Sequence, residues 1–422
     1  MSQGKKFGAF GGVFTPSILT ILGVIMYMRL GMVVGNAGAL FTTISIILLA
    51  HIVSVTTGLS VSSVATDKKI KAGGIYYMLS RSLGLPIGGA IGITLFVATA
   101  LSIALYLIGF GESAMVVLSD YLNIEEITTN HLRVIGSIAL LVIVTIAYIS
   151  TSIAIKSQYL ILFAIVLSLI SIFLGTSEGK GFDTSHVEGS TVGFSTLFGI
   201  FFPAVTGFTA GVAMSGDLKD PKKAIPWGTM SAVVVGLLVY VVLSVFIHYS
   251  IPQAELINNN NALVQFGLVP GLVIVGIWGA TLSSALGGIL GAPRILQAMS
   301  LDKITPNIFG RGVGNDNEPR NALILTFIIA EAGILIGELN VIAEIVAMFY
   351  MAAYMFINLS CFLEQWASPD FRPKFKISLF VPLIGTIATF LLMVQLNLAA
   401  ALISVAIMAL VFIWLTRRQL EL

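Results

Sequence analysis

Long apolar stretches recur along almost the whole chain, each long enough to cross a membrane as a helix of about 20 residues. Every backbone N–H and C=O in a bilayer core must be satisfied within the protein, so such stretches form helices. With 57% hydrophobic and only 10% charged residues, the chain is an all-α integral membrane protein. We predict twelve spans, at residues 14–34, 37–60, 86–118, 132–151, 157–175, 193–215, 227–249, 263–292, 321–338, 340–363, 376–394 and 397–416.

The charged residues of the loops predict the orientation. All lysines and arginines except Arg29, Arg133 and Lys180 fall on one side of the twelve-span chain. Basic residues concentrate in cytoplasmic segments, so we predict a multi-pass protein of the plasma membrane with both termini in the cytoplasm. Its surroundings are therefore membrane lipid, and the net charge of +2 is no sign of a nucleic-acid partner. The opposite loops are acidic, with Asp120, Glu125, Glu126, Glu178, Asp183, Glu188 and Glu255.

Two spans are interrupted at mid-depth, the first over residues 16–23 and the sixth over residues 203–207. Proline removes a backbone donor and glycine relaxes the backbone, and a break at this depth is tolerated where it lines a polar cavity. Glycine and proline also occur in ordinary, closely packed membrane helices, so the pairing of two breaks carries the prediction. Interrupted spans five spans apart indicate an inverted repeat whose breaks meet near the bilayer centre.

This repeat divides the chain into three parts. Residues 1–175 form the first repeat with spans one to five, and residues 176–363 form the second with spans six to ten. Residues 364–422 hold spans eleven and twelve and a short cytoplasmic tail.

Few polar side chains lie at membrane depth. Ser283 and Ser284 in the eighth span either mediate helix packing or supply the hard oxygen ligands that a small cation prefers. Arg29 and Glu112 end their spans on the same outer side, where they are able to pair or to reach the interface separately. Glu331 and Glu344 are assigned no role. Metal-ligand spacing, a phosphate-binding loop and a catalytic triad pattern are absent from the sequence, so we expect neither an enzyme nor a cofactor.

Several motifs together are similar to one known family. They lie at residues 22–30, 57–60, 65–66, 73–84, 201–207, 215–218, 283–286 and 291–294, and at Tyr354, Ile357 and Asn358. These segments resemble the cation-chloride cotransporters, which belong to the amino acid-polyamine-organocation superfamily. The resemblance implies a LeuT-like fold of five plus five helices with broken first and sixth helices, and a homodimer as a partner. Because large extracellular and cytoplasmic domains of the family have no counterpart here, the expected protein is a minimal, prokaryotic-like member.

The resemblance also implies a set of site residues. The potassium or substrate site would use Thr20, Ile21, Tyr106, Pro203 and Thr206. The chloride sites would use backbone N–H groups of Gly23, Val24, Ile25, Gly207, Phe208 and Thr209, with the Tyr354 hydroxyl. The sodium site would use Leu19, Leu22, Ala280, Ser283 and Ser284, and Arg29 with Glu112 resembles an extracellular gate.

Two functions fit this pattern. The first is sodium-dependent symport of potassium and chloride by alternating access, with ions bound at the two breaks. The second is transport of an amino acid or another small organic solute on the same site, without a requirement for chloride. The sequence departs from the eukaryotic cotransporters at Thr20 and Leu22, where they carry Asn and a bulky aromatic residue, and these changes alter the cavity wall.

Overall fold

The computed structural model describes residues 6–67, 74–124, 126–149, 151–181, 192–213, 215, 218–314 and 317–420. Some residues named above lie outside the described residues: Lys68, Lys69, Lys71, Glu125, Asp183 and Glu188 of the charge pattern, and Gly73, Gly216 and Asp217 of the motifs. Within the described part the fold is helical, and its only β structure is two isolated bridges, Phe7 with Leu218 and Val313 with Glu318.

The first half of the chain begins with a short π-helical turn, Phe10–Phe14, and continues as α-helices. These are α1 (Thr15–Ile21), α2 (Val24–Met28), α3 (Leu30–Ala37), α4 (Leu40–Asp67), α5 (Gly74–Ser82), α6 (Leu85–Leu122), α7 (Thr129–Ile149) and α8 (Thr151–Phe173). The motif at residues 73–84 lies largely on the helix α5.

The second half contains ten further helices. These are α9 (Phe194–Phe201), α10 (Phe208–Ala213), α11 (Pro221–Ser250), α12 (Gln253–Asn258), α13 (Ala262–Phe266), α14 (Pro270–Leu301), α15 (Arg320–Ile334), α16 (Leu339–Ala367), α17 (Phe380–Leu396) and α18 (Leu398–Leu420). Nine helical stretches of the described residues are long and apolar enough to cross a membrane. The predicted spans at 321–338 and 376–394 fall on helices of 15 and 17 residues, shorter than this length. The span at 157–175 falls on α8, of which the stretch Ser157–Phe173 counts as a shorter apolar helix, so the count of twelve stays a prediction.

The helices pack in two groups. In one group α4 lies along α11, and the short helices at the two breaks, α1 and α10, pack beside them. In the other group α14 packs most extensively on α6 and α8. Most buried apolar side chains form one continuous cluster that includes Val13, Ile46, Leu107 and Phe201, each almost fully shielded from solvent. The faces that point away from this core carry many exposed apolar residues, as a lipid-facing surface requires.

The first interruption lies between α1 and α2. Leu22 (φ −83°, ψ 43°) and Gly23 (φ −96°, ψ −148°) both leave the helical region. A Cβ at Gly23 would lie 2.6 Å from the carbonyl oxygen of Thr20, so the tight approach of the chain to itself requires glycine there. A second distortion at Arg29 (φ −128°, ψ −20°) separates α2 from α3.

The second interruption lies between α9 and α10. The chain passes from α9 into a 3₁₀ turn, Phe202–Val205, and resumes α-helix at Phe208. Pro203 sits early in this turn, where its missing N–H and fixed φ are tolerated. Thr206 and Gly207 form the link, as the proline and glycine pattern predicted.

Candidate functional site

The two interruptions lie against each other. A Cβ at Gly207 would lie 2.7 Å from the backbone nitrogen of Ile21 and 2.8 Å from the carbonyl carbon of Thr20. The Ser17 hydroxyl, one turn before the first break, donates to the carbonyl of Phe208 at 3.1 Å. The lack of a side chain at Gly207 therefore brings the end of α1 into direct contact with the start of α10.

Backbone carbonyls released by the breaks accept hydrogen bonds from neighbouring helices. Tyr240 of α11 donates to the Ile21 carbonyl at 2.6 Å, and Ser54 of α4 donates to the Val205 carbonyl at 2.8 Å. Tyr354 of α16 donates to the Thr206 carbonyl at 3.1 Å. Because an unsatisfied carbonyl is costly in an apolar interior, these three hydroxyls stabilise the interrupted backbone.

A cavity with about 580 Å³ of empty space, counting its open mouth, adjoins the breaks. Thr20 and Gly207 lie at the breaks, and Tyr106 and Ser284 face them from α6 and α14. Every lining residue in the described part of the chain is uncharged, and the polar side-chain groups are hydroxyls. The cavity is therefore suited to a cargo whose charges balance, because its walls provide no opposite ion for a single charge.

The residues predicted for potassium have different surroundings. Thr20 and Tyr106 line the cavity, although the Thr20 hydroxyl donates to the Pro16 carbonyl at 3.0 Å. The Thr206 hydroxyl donates to the Pro203 carbonyl at 2.8 Å. As described above, the carbonyl of Ile21 accepts the Tyr240 hydroxyl, so several of these oxygens already have partners in this conformation.

The residues predicted for chloride lie at the two helix starts. Gly23, Val24 and Ile25 form the start of α2, and Gly207, Phe208 and Thr209 form the start of α10. The N-terminal N–H groups of a helix have no carbonyl partner within it and favour an anion. Of this set, Gly207 and Thr209 line the cavity, whereas Tyr354 is fully buried behind them.

The predicted sodium ligands lie where α1 approaches α14. The Ser283 hydroxyl donates to the Ala280 carbonyl at 3.2 Å. The Ser284 hydroxyl is buried and has no hydrogen-bond partner among the described residues, and Ser284 lines the cavity. Leu19 and Leu22 lie on either side of the end of α1. A buried hydroxyl without a partner is unusual and is the clearest open ligand position in this set.

The predicted gate residues form a buried ion pair. Arg29 donates from Nη1 to Oε2 of Glu112 at 2.8 Å and from Nη2 to Oε1 at 2.7 Å. Its Nε donates to Oδ1 of Asn340 at 2.5 Å, and the Arg29 side chain is only 4% exposed. The two residues are thus paired rather than separately exposed. Glu331 accepts a hydrogen bond from Ser137 at 2.6 Å, and Glu344 lies in a groove between α16 and α18.

The opposite end of the cavity is formed by α5 and the end of α14. Ile75 of α5 and Gly291 and Ile295 of α14 line it. At this end Tyr76 donates to Oδ2 of Asp302 at 2.6 Å, and Arg81 donates to Oδ1 of Asp302 at 2.7 Å. Burial, the hydrogen bond to Asp302 and its negative charge raise the pKa of Tyr76 above its ordinary value. The hydrogen bond to Asp302 is also the main cause that raises the pKa of Arg81.

Three hydroxyl residues of the cavity were not singled out from the sequence: Thr99, Ser102 and Tyr350. A signal for them was present. Thr99 and Ser102 precede Tyr106 by seven and four residues, which puts all three on one face of α6. Tyr350 precedes Tyr354 by one helical turn on α16 in the same way.

The fold and this uncharged cavity define a multi-pass membrane transporter, and comparison with known proteins identifies the family. The model of the amino acid permease family matches residues 12–420, and the chain belongs to that family. Its relatives include solute carrier family 12 member 1 of Mus musculus, 34% identical over 98% of this chain and 43% of the relative. Solute carrier family 12 member 2 of Homo sapiens is 35% identical over 98% of this chain and 39% of the relative.

These relatives confirm the resemblance to the cation-chloride cotransporters. A third relative, solute carrier family 12 member 2 of Squalus acanthias, is 34% identical over 98% of this chain and 40% of the relative. The chain thus spans about two fifths of the length of the curated relatives that it matches. Both the family and these relatives are transporters rather than enzymes.

Proposed function

We propose that this protein is a sodium-dependent symporter of potassium and chloride that works by alternating access in the plasma membrane. The ions bind at the breaks after α1 and α9, in a fold of twelve spans with a five-plus-five inverted repeat and cytoplasmic termini. The transported ions are cargo, and no cofactor is required. The central support is the uncharged, hydroxyl-lined cavity beside two opposed helix starts.

Charge balance explains why such a cavity favours the joint binding of cations and chloride. A potassium or sodium ion alone would face no carboxylate among the lining residues, and chloride alone would face no cation. Chloride held at the starts of α2 and α10 neutralises the cations beside it, while hydroxyls and carbonyls coordinate them. The unpartnered hydroxyl of Ser284 supplies an oxygen of the kind that sodium prefers.

The arrangement of helices supports alternating access. Arg29, Glu112 and Asn340 are bonded together on the predicted outer side, while the cavity extends to Ile75 on the other. Helices α1, α10, α4 and α11 form one group, and α6, α8 and α14 form another. Rocking of the first group against the second would break the Arg29–Glu112 pair and open the site outward. Helices five spans apart are in contact, α4 with α11 and α6 with α14, and this supports the proposed inverted repeat.

Transport of an amino acid is the second candidate. The match to the amino acid permease family and the changed residues Thr20 and Leu22 favour it. A substrate carboxylate would then occupy the N–H groups assigned to chloride, and its ammonium group would take the place of potassium. A zwitterion also balances its own charge in an uncharged cavity.

Tracer uptake into proteoliposomes separates the two functions. Rubidium, chloride and labelled alanine are compared with and without a sodium gradient. The proposal expects rubidium uptake that requires both sodium and chloride. Alanine uptake that is indifferent to chloride, with no rubidium uptake, would replace it by the second candidate.

A further inference from the structure

A second groove lies away from the cavity, between the end of α7, the middle of α14 and the start of α15. It contains about 380 Å³ of space, counting its open mouth. Ile289, Leu290 and Leu323 form its apolar walls, and Pro293 lies between them. Proline inside a helix removes a backbone hydrogen bond, and α14 continues as α-helix through Pro293 beside the groove.

Two arginines lie in this groove without an acidic partner among the residues that the structure describes. The ion pairs between described residues are Arg29 with Glu112 and Arg81 with Asp302, so neither Arg294 nor Arg320 takes part in one. The guanidinium carbon of Arg320 lies 4.3 Å from the centre of the Tyr148 ring. The Nε of Arg320 is buried and has no hydrogen-bond partner among the described residues.

The groove lies near the ends of two membrane helices. Arg320 begins α15, and Arg294 lies seven residues before the end of α14, or about 10 Å along the helix. The charge pattern assigns this end of both helices to the cytoplasmic side. The apolar walls continue from the arginines toward the bilayer centre, and the ring of Tyr148 is 49% exposed at the mouth, as an aromatic residue at a membrane interface commonly is.

We propose that this groove binds an anionic phospholipid of the cytoplasmic leaflet. Its phosphate is held by Arg294 and Arg320, and its acyl chain lies along Ile289, Leu290 and Leu323. Arginine forms strong, forked hydrogen bonds to phosphate, and basic pockets between membrane helices on the cytoplasmic side are suited to anionic headgroups. The apolar walls favour a lipid over a free anion, because they bury chain methylenes that a soluble phosphate lacks. This site is separate from the transport cavity and does not depend on which solute is carried.

Glu318 also lines the groove, and its charge indicates which headgroup the groove favours. Its carboxylate repels a phosphate, so the described lining residues, two arginines and one glutamate, leave one net positive charge for the headgroup. A headgroup that carries a single negative charge, such as phosphatidylglycerol, matches this balance. A zwitterionic phosphatidylcholine gains less because its own cation offsets its phosphate.

Native mass spectrometry of the purified protein with added lipid tests the proposal. Phosphatidylglycerol is expected to bind more tightly than phosphatidylcholine. Arg294→Gln and Arg320→Gln are each expected to weaken phosphatidylglycerol binding about fivefold. Glu318→Gln is expected to strengthen it. Arg311→Gln is the matched control, because Arg311 is exposed in the same connection but does not line the groove.

Three results would overturn the proposal. The first is unchanged phosphatidylglycerol binding in both arginine variants. The second is equal binding of phosphatidylcholine. The third is full displacement of phosphatidylglycerol by millimolar inorganic phosphate, which would mean that the groove binds free anions. If Arg320→Gln does not fold, Arg294→Gln decides alone, because Arg294 is exposed and makes no ion pair among the described residues.

Discussion

Arg29 and Glu112 are joined by two parallel hydrogen bonds of 2.8 and 2.7 Å, although 83 residues separate them in the chain. Arg29 directly follows the short helix α2, beyond the first break, and Glu112 lies within α6. The pair therefore joins the part of the chain just beyond the first break to α6. Asn340 of α16 adds a third contact to the Arg29 side chain.

Removing Glu112 tests this connection. Glu112→Gln leaves the buried Arg29 charge without a counter-ion, so we expect the free energy of unfolding to fall by about 3 kcal/mol. The outer side should also open more often. A cysteine at Gly287, where a Cβ meets no atom within 4 Å, should then react faster with an impermeant thiol reagent added outside. Glu126→Gln, at an exposed position, is the control. Unchanged stability and unchanged labelling would contradict the gate.

The hydroxyl of Ser284 should matter for sodium rather than for folding. It has no hydrogen bond to lose, so Ser284→Ala should leave the melting temperature nearly unchanged. The apparent affinity for sodium in the uptake assay should fall about tenfold, as expected when one ligand that contributes roughly 1.5 kcal/mol is lost. Ser244 of α11 is an equally buried, unpartnered serine that does not line the cavity, so Ser244→Ala is the matched control. Equal sodium dependence in both variants would remove Ser284 from the site.

The hydroxyl of Tyr106 faces the cavity from α6, and the ring is 6% exposed. Tyr106→Phe keeps the ring and its packing, so we expect the protein to remain folded while rubidium uptake drops by about tenfold, as for loss of one ligand. Tyr249, which is 76% exposed, serves as a control in Tyr249→Phe. Full rubidium uptake with unchanged ion dependence in Tyr106→Phe would show that its hydroxyl is not a ligand.

Contact between the two breaks depends on Gly207. In Gly207→Ala the added Cβ would meet backbone atoms of Thr20 and Ile21 at 2.7 to 2.8 Å, and backbone cannot rotate away as a side chain can. We expect a loss of about 1–3 kcal/mol in the free energy of unfolding together with loss of transport. Gly193→Ala at the start of α9, where a Cβ meets nothing within 4 Å, should be silent in both assays. An active, stable Gly207→Ala protein would show that the breaks do not need this contact.

The Tyr76–Asp302 hydrogen bond predicts a pH dependence of stability. Because the pKa of Tyr76 is raised in the folded protein, its contribution is complete below the unfolded value of 10 and is lost as the pH rises through the folded value. The melting temperature of Tyr76→Phe should therefore lie below that of the unaltered protein by a constant amount from about pH 6 to about pH 9. The difference should shrink at higher pH. A difference that already varies between pH 6 and 9 would point to another group.

Local chemistry explains which features were predictable from the sequence. The breaks depend on residues that act on their own backbone, Pro203 and Gly207 in one case and Gly23 in the other, so they are visible in a single stretch. Equal depth at the ends of two spans made a pair of Arg29 and Glu112 possible, and separate exposure of the two at the interface was the alternative. The number of helices long enough to cross a membrane was harder to predict. The helices α15 and α17 are shorter than the apolar stretches 321–338 and 376–394 on which they lie.

Contacts between distant helices explain what was missed. The Ile21 carbonyl was expected to be open to a cation, but it accepts a hydrogen bond from Tyr240, 219 residues away. Thr99 and Ser102 face the cavity while their hydroxyls also bond to their own helix, at Leu95 and Thr99. Their spacing places them on one face of α6 with Tyr106, but spacing within one helix does not reveal whether that face meets the cavity or another helix.

Protection of a cavity cysteine tests most directly whether ions occupy the space between the breaks. Gly287→Cys places a thiol on the cavity wall at a position assigned to no ligand, and the native Cys361 is buried. In inside-out vesicles, thiol labelling should slow when sodium, potassium and chloride are all present and recover when any one is replaced by choline or gluconate. Alanine should have no effect. Labelling that is slowed by alanine and indifferent to the ions would contradict the cotransporter account.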